Sequence, residues 1–263
     1  MMTQLTFKSK ILWGLAAVLV CLSALFWKKG QDTKSFSPSK VSCLLPHHSE
    51  WEVPFTDEDQ QTLAQVFKQP FTYLATGVQT FAFVSQDGKY VIKFFKSAPL
   101  DNTEKSLKRR NKLIEALSAY HMAYEEIPQD TGLLFIHLNP THNLKKTVMV
   151  SDRSGKKHLI DLDATPFIVQ EKADLIFDHL RKLALRGDAK GLKKSVMSVL
   201  DLVERRIQKG FTDDDRAVTH NYGFVDGRPI HFDIGRMHKG KRADEYEYIA
   251  KRIDSWLLED AEK

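Results

Sequence analysis

The sequence predicts an α+β fold, and three observations support this class. Two pairs of short apolar segments are each joined by an Asp-Gly dipeptide, at Asp87-Gly88 and at Asp226-Gly227. An Asp-Gly pair between two apolar runs is a strong signal for a β-hairpin. A long segment between the hairpins, from near Asp101 to near Glu126, has apolar residues at helical spacing. Strands and helices therefore both contribute to the predicted fold.

The N-terminal part of the chain contains an apolar run over residues 11–27, interrupted only by Gly14 and Ser23. At about 1.5 Å per helical residue, this run approaches the ~30 Å thickness of a bilayer core, which predicts a minimal transmembrane helix. A cleaved secretory signal peptide is the alternative interpretation. Because more Lys residues follow the run than precede it, the prediction is a single-pass membrane protein whose C-terminal domain lies in the cytoplasm.

The charge and the cysteine content exclude several classes of protein. The net charge of +5 is only mildly basic for 263 residues, and the Lys and Arg residues are spread along the chain. A scattered excess of this kind is typical of a solvated surface, so no nucleic-acid partner is expected. The two cysteines, Cys21 and Cys43, are too few for a disulfide framework or a zinc site.

The elements after the anchor are predicted from local signals along the chain. Residues 30–50 are polar and are interpreted as a linker. Thr56–Asp59 carries a capping-box pattern at the start of a helix that ends before Pro70. The remaining predicted elements are a hairpin of 81–85 and 90–95, a helix of about 101–126, a strand of 133–138, a hairpin of 147–150 and 158–162, and helices of about 174–186, 189–209 and 243–260.

Lys93 lies within the apolar strand Tyr90–Phe95, where its charge costs free energy unless another group compensates it. The strand resembles the Val-Ala-Ile-Lys strand of protein kinases, whose lysine holds the α- and β-phosphates of ATP and pairs with a glutamate on the next helix. The resemblance implies that Glu115 is this partner, with Glu125 as the alternative because it lies closer to the apolar stripe of the helix. Gly77 is the remaining glycine of the implied phosphate-binding loop. The stripe comprises Leu107, Ile114, Leu117, His121 and Tyr124.

The second hairpin has Asn221 before its first strand and Asp233 after its second, so both residues lie at the same end of the ladder. An amide oxygen and a carboxylate are hard ligands that Mg²⁺ accepts together with phosphate oxygens. The arrangement resembles the catalytic loop and the Asp-Phe-Gly element of protein kinases. The resemblance implies that Asp215, at the family's spacing before Asp233, accepts the proton of a substrate hydroxyl. Asp215 and Asn221 are one residue further apart than in the family, so that either a one-residue bulge absorbs the difference or Asp214 is the base.

Residues 167–173 resemble the kinase hinge, which implies that the backbone near Glu171 and Ala173 contacts adenine. Together the motifs resemble the protein-kinase-like superfamily. They imply two lobes, a small antiparallel sheet with one long helix and then a reduced, mainly helical lobe. The implied boundaries are 1–29 for the transmembrane anchor, 30–50 for the linker, 51–173 for the N-lobe with its preceding helix and hinge, and 174–263 for the C-lobe.

The residues after Gly235 are too few for the activation segment and the further helices of a conventional protein kinase. The resemblance therefore implies a membrane-anchored, atypical phosphotransferase. It would bind ATP and Mg²⁺ and transfer the γ-phosphate to an unidentified hydroxyl acceptor. The alternative is a pseudokinase that serves as a membrane-tethered binding or scaffold module for a protein partner, since the glycine loop is incomplete and the catalytic-loop spacing is irregular.

Overall fold

Residues 35–261 are described by the computed structural model, and the elements below lie within the unit Pro38–Lys263. The strands are β1 (Phe71–Thr76), β2 (Thr80–Ser85), β3 (Tyr90–Phe95), β4 (Leu133–His137), β5 (Thr147–Ser151), β6 (Lys157–Asp161), β7 (Phe167–Glu171), β8 (Asp174–Leu175), β9 (Phe211–Asp213), β10 (Tyr222–Val225), β11 (Arg228–His231) and β12 (Met237–Lys239). The α-helices are α1 (Asp57–Val66), α2 (Glu104–Glu126), α3 (Pro128–Thr131), α4 (Ile176–Leu185), α5 (Ala189–Gln208), α6 (Val218–Asn221) and α7 (Glu245–Ala261). The fold is therefore mixed α+β, as the sequence predicts.

The first part of the unit contains a seven-stranded sheet in the order β4-β7-β3-β2-β1-β5-β6. The predicted hairpin of β2 and β3 is confirmed, and Gly88 in its turn has a φ of 71°, a value that favours glycine. The predicted hairpin of β5 and β6 is also confirmed. Strand β5 pairs with β1 in parallel, whereas the other neighbouring strands are antiparallel. The β5–β6 hairpin therefore extends the sheet beyond β1.

The segment before the sheet combines a predicted helix start with an unexpected contribution to the core. The capping box of α1 is confirmed, because the Thr56 side chain accepts from the Asp59 N–H and the Asp59 carboxylate accepts from the Thr56 N–H. Part of the predicted linker is packed in the fold, where Val41 and Leu45 are buried ahead of Trp51. Apolar residues scattered through a polar segment thus supply core contacts that its composition alone does not reveal.

Helix α2 packs an alanine-rich face against the sheet. Its buried residues are Ser106, Leu113, Ala116, Leu117, Ala119, Tyr120 and Ala123. The predicted apolar stripe is therefore wrong in part, since Leu117 is buried but Leu107 is 43% exposed. Small alanine side chains allow the helix to lie close to the sheet, so the buried face is rotated away from the stripe of larger side chains.

The second part of the unit is mainly helical. Helices α4, α5 and α7 share a buried core that includes Leu180, Val203 and Ile253. Strands β10 and β11 form the predicted hairpin around Asp226-Gly227, and β8 pairs with β10. Strand β12 pairs with β9 in a separate two-stranded sheet. The two Asp-Gly hairpins therefore belong to different sheets, one in each part of the unit.

The prediction of a single-pass membrane protein with a cytoplasmic C-terminal domain needs correction. None of the helices over residues 35–261 is both long enough and apolar enough to cross a bilayer. The predicted anchor, residues 11–27, lies outside the described part of the chain. The described helices carry polar residues on their outer faces, as expected where each helix buries only one side.

Candidate active site

Lys93 points from the sheet toward the mainly helical part. It is 8% exposed, and in the sheet register it lies between Ala82 of β2 and Ile168 of β7. Its Nζ donates a hydrogen bond to the main-chain oxygen of Phe232 at 2.7 Å and lies 3.4 Å from the hydroxyl of Tyr120. The strand lysine therefore meets the residue that directly precedes Asp233.

Burial lowers the pKa of Lys93, and the negative charge of Asp233 only partly offsets this effect. The neutral partners of the ammonium do not cancel its charge. The main-chain oxygen of Phe232 also accepts from the Nε2 of Gln170 at 3.2 Å, and the same Nε2 donates to the oxygen of Thr131 at 2.6 Å. Two buried donors from neighbouring strands thus converge on one oxygen beside Asp233.

Asn221 and Asp233 are brought together by the hairpin of β10 and β11. The main-chain oxygen of Asn221 accepts from the N–H of Phe232 at 2.8 Å and from that of Asp233 at 3.4 Å. The Asn221 side chain is buried, and its Nδ2 has no hydrogen-bond partner among the described residues. Asp233, by contrast, is exposed. A buried amide without a protein partner beside an exposed carboxylate is compatible with a position for a bound ligand.

A cavity of about 780 Å³ lies beside Asp233. Its walls are formed by the turn between β1 and β2, one side of α2, the segment after β9 and the residues that follow Asp233. Of the predicted site residues, Gly77, Glu115, Asp215 and Asp233 line this cavity, as does the alternative base Asp214. The other predicted site residues, Lys93, Glu171, Ala173 and Asn221, are not among the described residues that line it.

The two candidate partners of Lys93 are both on exposed faces of α2. Within the described part of the chain, neither Glu115 nor Glu125 comes within ion-pair distance of Lys93. The α2 residue beside the ammonium is Tyr120, which the sequence reasoning missed. The run of alanines at 116, 119 and 123 marks the buried face and could have identified Tyr120, because all four positions lie within about one third of the helical circumference.

The segment after β9 is organised by hydrogen bonds from aspartate side chains. Asp213 is buried, and its Oδ1 accepts from the N–H of Asp215 at 2.7 Å. The Oδ1 of Asp215 accepts from the N–H of Ala217 at 2.9 Å, and the short helix α6 then leads to Asn221. Asp214 and Asp215 both reach the cavity, so both remain candidates for the base.

A buried polar network that the sequence did not predict holds the segment after β9 in place. The carboxylate of Glu245, at the start of α7, accepts from the guanidinium of Arg206, from the hydroxyl of Thr212 and from the N–H of Asp213. The Oδ2 of Asp213 lies 3.0 Å from the Nε2 of His231. Burial raises the pKa of Asp213, but the contact with His231 and the other partners outweighs it, and the pKa lies below its usual range. Long-range contacts of this kind leave no local sequence motif.

The predicted hinge residues are engaged in contacts between strands. The N–H of Glu171 donates to the oxygen of Gly132 at 2.8 Å, and its carboxylate forms an ion pair with Arg228. Ala173 lies against Gly223 of β10, where an added Cβ would be 2.8 Å from the Ala173 Cβ. Strand β10 therefore needs a glycine to pass this point. The adenine contact stays a prediction for the backbone near Glu171 and Ala173.

The turn that contains Gly77 is hydrogen-bonded to α2 and lies against Gly235. The N–H of Gly77 donates to the oxygen of Thr80 at 3.0 Å. The Nε2 of Gln79 donates to the oxygen of Lys112 at 2.8 Å, while a Cβ added at Gly235 would lie 2.7 Å from the Gln79 Oε1. The turn therefore lies over the segment that follows Asp233, and Gly235 leaves room for the glutamine.

Clusters of three or more metal-binding side chains are absent from the described residues, counting His, Cys, Asp and Glu. The predicted pair of Asn221 and Asp233 is of a different type. It supplies one amide and one carboxylate, and Mg²⁺ sites of this type obtain further ligands from substrate phosphates and water. The chemistry of the donors fits Mg²⁺, and the metal assignment stays a prediction.

Comparisons with known proteins give a limited result. No protein-family model and no curated protein matches the chain. Among solved structures, the co-crystal structure of WbdD with the kinase inhibitor LY294002 is 14% identical over 71% of this chain, with a TM-score of 0.39. A 2.2 Å crystal structure of WbdD is 15% identical over 73% of this chain, with a TM-score of 0.38. The chain spans 37% of the length of each of these WbdD chains.

Proposed function

We propose that this chain is a kinase-like phosphotransferase that binds ATP with Mg²⁺ and transfers the γ-phosphate to a hydroxyl acceptor. The observation that carries the proposal is the hydrogen bond from Lys93 to the main-chain oxygen of Phe232, directly before Asp233. Lys93 belongs to the seven-stranded sheet, whereas Phe232 follows the β10–β11 hairpin of a separate sheet. Asn221 holds the same segment through its main-chain oxygen. An exposed carboxylate that lines a cavity, with a buried ammonium and a buried amide beside its segment of the chain, suits phosphate and its metal ion.

The proposed roles follow from the chemistry of each side chain. Lys93 would bind phosphate oxygens, and Asn221 and Asp233 would hold Mg²⁺, which neutralises phosphate charge when bound. Asp215 would orient the acceptor hydroxyl and take its proton, with Asp214 as the alternative. Glu115 lines the cavity and would act only after a rearrangement of α2.

The first experiment measures nucleotide binding through thermal stability of the purified chain. Mg-ATP should raise the melting temperature, because a ligand present at 100 times its Kd stabilises the native state by about 2.7 kcal/mol. Asp233→Asn should abolish the effect of Mg²⁺ on this shift. Asp226→Asn is the matched control, because it removes the same charge from an exposed turn of the same hairpin. No shift with millimolar Mg-ATP would contradict the proposal.

A second experiment separates the two candidate bases. Turnover of ATP is measured for Asp215→Asn and Asp214→Asn, at matched nucleotide occupancy. A general base contributes about 10²–10⁴-fold to rate, so the variant that lacks the base should lose turnover by this factor while it still binds nucleotide. Equal turnover in both variants and the unmodified chain would exclude both aspartates as the base.

A second candidate function is a pseudokinase that serves as a binding module for a protein partner. Two observations favour it. Among the described residues no carboxylate forms an ion pair with Lys93, and the Gln79 side chain of the turn at Gly77 lies against Gly235, the second residue after Asp233. This function predicts nucleotide binding without turnover, and a partner whose binding survives Asp215→Asn. Measurable γ-phosphate transfer that Asp215→Asn abolishes would exclude it.

A further inference from the structure

Tyr120 occupies the centre of the contact between α2, β3 and the Asp233 segment. It is 1% exposed, and its ring packs edge-on against Phe95 with the ring centres 5.3 Å apart. Its hydroxyl lies 3.4 Å from the Nζ of Lys93 and faces the backbone of Ile234. One hydroxyl group thus connects the long helix, the strand lysine and the residue after Asp233.

The chemistry of a phenol suits this position. A hydroxyl accepts two hydrogen bonds and donates one, so it can accept from both the Lys93 ammonium and the Ile234 N–H. Burial raises the pKa of Tyr120 far above its usual range, and the negative charges of Asp233 and Asp213 act in the same direction. The phenol is therefore neutral when Lys93 is charged.

Neither candidate glutamate of α2, Glu115 or Glu125, can serve in its place without a change in the helix. Glu115 precedes Tyr120 by five residues, and at about 100° per residue this directs the two side chains about 140° apart. Glu125 follows Tyr120 by five residues and is displaced by the same angle in the opposite sense. Both glutamates are exposed.

We propose that Tyr120 is the positioning residue of the site, a neutral hydroxyl that fixes Lys93 and ties α2 to the Asp233 segment where a carboxylate is expected. This inference rests on the proposed nucleotide-binding function. Because a hydroxyl orients the ammonium but leaves its charge uncompensated, the charge remains available to a phosphate group. The nucleotide phosphates then supply the anion that α2 does not.

The test uses Tyr120→Phe, which removes the hydroxyl and keeps the ring. Tyr124→Phe is the matched control, because its hydroxyl on the same helix lies at the same distance, 3.4 Å, from the Oδ1 of Asp59. The Kd for Mg-ATP is measured by calorimetry on the full chain. Tyr120→Phe should raise this Kd by about tenfold, the effect of losing one hydrogen bond to a charged group. Tyr124→Phe should leave it unchanged.

A second readout distinguishes positioning from a general loss of structure. The NMR signals of the Lys93 side chain should shift in Tyr120→Phe and stay unchanged in Tyr124→Phe. If the unmodified chain binds Mg-ATP but both variants bind it equally well, the positioning role is wrong and the proposed function stands. If the unmodified chain does not bind Mg-ATP, both fail. Unfolding of Tyr120→Phe would overturn the positioning role in favour of a structural one.

Discussion

Replacement of Lys93 by methionine should stabilise the fold while it removes nucleotide binding. Lys93 is almost entirely buried, and the groups of residues 35–261 at hydrogen-bond distance from its ammonium are the Phe232 oxygen and the Tyr120 hydroxyl. Methionine has a similar length and would pack beside Ile168 and Ala82, its neighbours in the sheet register. Lys93→Met removes a buried charge but also leaves the Phe232 oxygen with one donor fewer.

The magnitude follows from the cost of burying charge. Replacing buried charged groups by apolar residues of similar volume stabilises proteins by about 1–4 kcal/mol. The lost hydrogen bond to the Phe232 oxygen costs about 1 kcal/mol. This cost is limited because Gln170 still donates a hydrogen bond to the same oxygen. We therefore expect a net gain of up to about 3 kcal/mol, or a rise in melting temperature of up to about 12 °C for a protein of this size.

The gain should depend on pH in a defined direction. The pKa of Lys93 is lower in the folded protein than in the unfolded chain, where it is about 10.4. Above the folded-state pKa, the unfolded chain binds more protons than the native state, so the native unmodified protein becomes relatively more stable as pH rises. The advantage of Lys93→Met should therefore be largest at neutral pH and decrease toward pH 10.

The assay is thermal unfolding at neutral and alkaline pH, with and without Mg-ATP. Lys89→Met is the control, because Lys89 is exposed on the turn of the same hairpin and this substitution removes the same charge. It should change the melting temperature little and retain the nucleotide shift. A destabilised Lys93→Met, or one that keeps the full Mg-ATP shift, would refute the reasoning.

Two further predictions concern the residues around Asp233. Gly235→Ala should destabilise the protein by at most about 1 kcal/mol, since its Cβ would meet only the flexible end of the Gln79 side chain at 2.7 Å, which can move away at the cost of its hydrogen bond to Lys112. Thermal unfolding should show that Gly235→Ala causes no further loss when it is combined with Gln79→Ala. Asp213→Asn should cost about 1–3 kcal/mol at neutral pH through the contact with His231, with a smaller difference from the unmodified protein in acid. The sign of this pH dependence follows from the lowered pKa of Asp213, because the stabilising contribution of its carboxylate is present above about pH 4 and is lost as pH falls. Acid unfolding of the two proteins measures the difference in stability. A difference that stays constant across pH would contradict the prediction.

Elements that depend on short-range signals were predictable from the sequence. Asp87-Gly88 and Asp226-Gly227 fixed two hairpins, and Thr56 with Asp59 fixed the start of α1. The proximity of Asn221 to Asp233 followed from the hairpin, because a two-residue turn determines which positions face each other. The local part of the candidate site was therefore predictable.

Features that depend on distant contacts were not predictable. The parallel pairing of β5 with β1 joins segments far apart in sequence, and a strand's own residues do not select that partner. The large apolar side chains of α2 do not mark its buried face, because that face contains Ala116, Ala119 and Ala123. The stripe favours Glu125 as the partner of Lys93, whereas Glu115 follows from the resemblance to kinases and its position in mid-helix. Neither argument identifies Tyr120, which is the residue beside the ammonium.

The contacts around Asp233 leave its side chain free while they fix its backbone. Lys93 and Gln170 donate to the Phe232 oxygen, and the Tyr120 hydroxyl lies against the backbone of Ile234. Three elements of the sheet part therefore hold the main chain on both sides of Asp233. Its carboxylate is exposed at the cavity. The fold depends on the backbone here and not on this carboxylate. Asp233→Asn therefore removes a proposed metal ligand without removing a structural contact. A loss of Mg²⁺ dependence in that variant is thus attributable to the site itself.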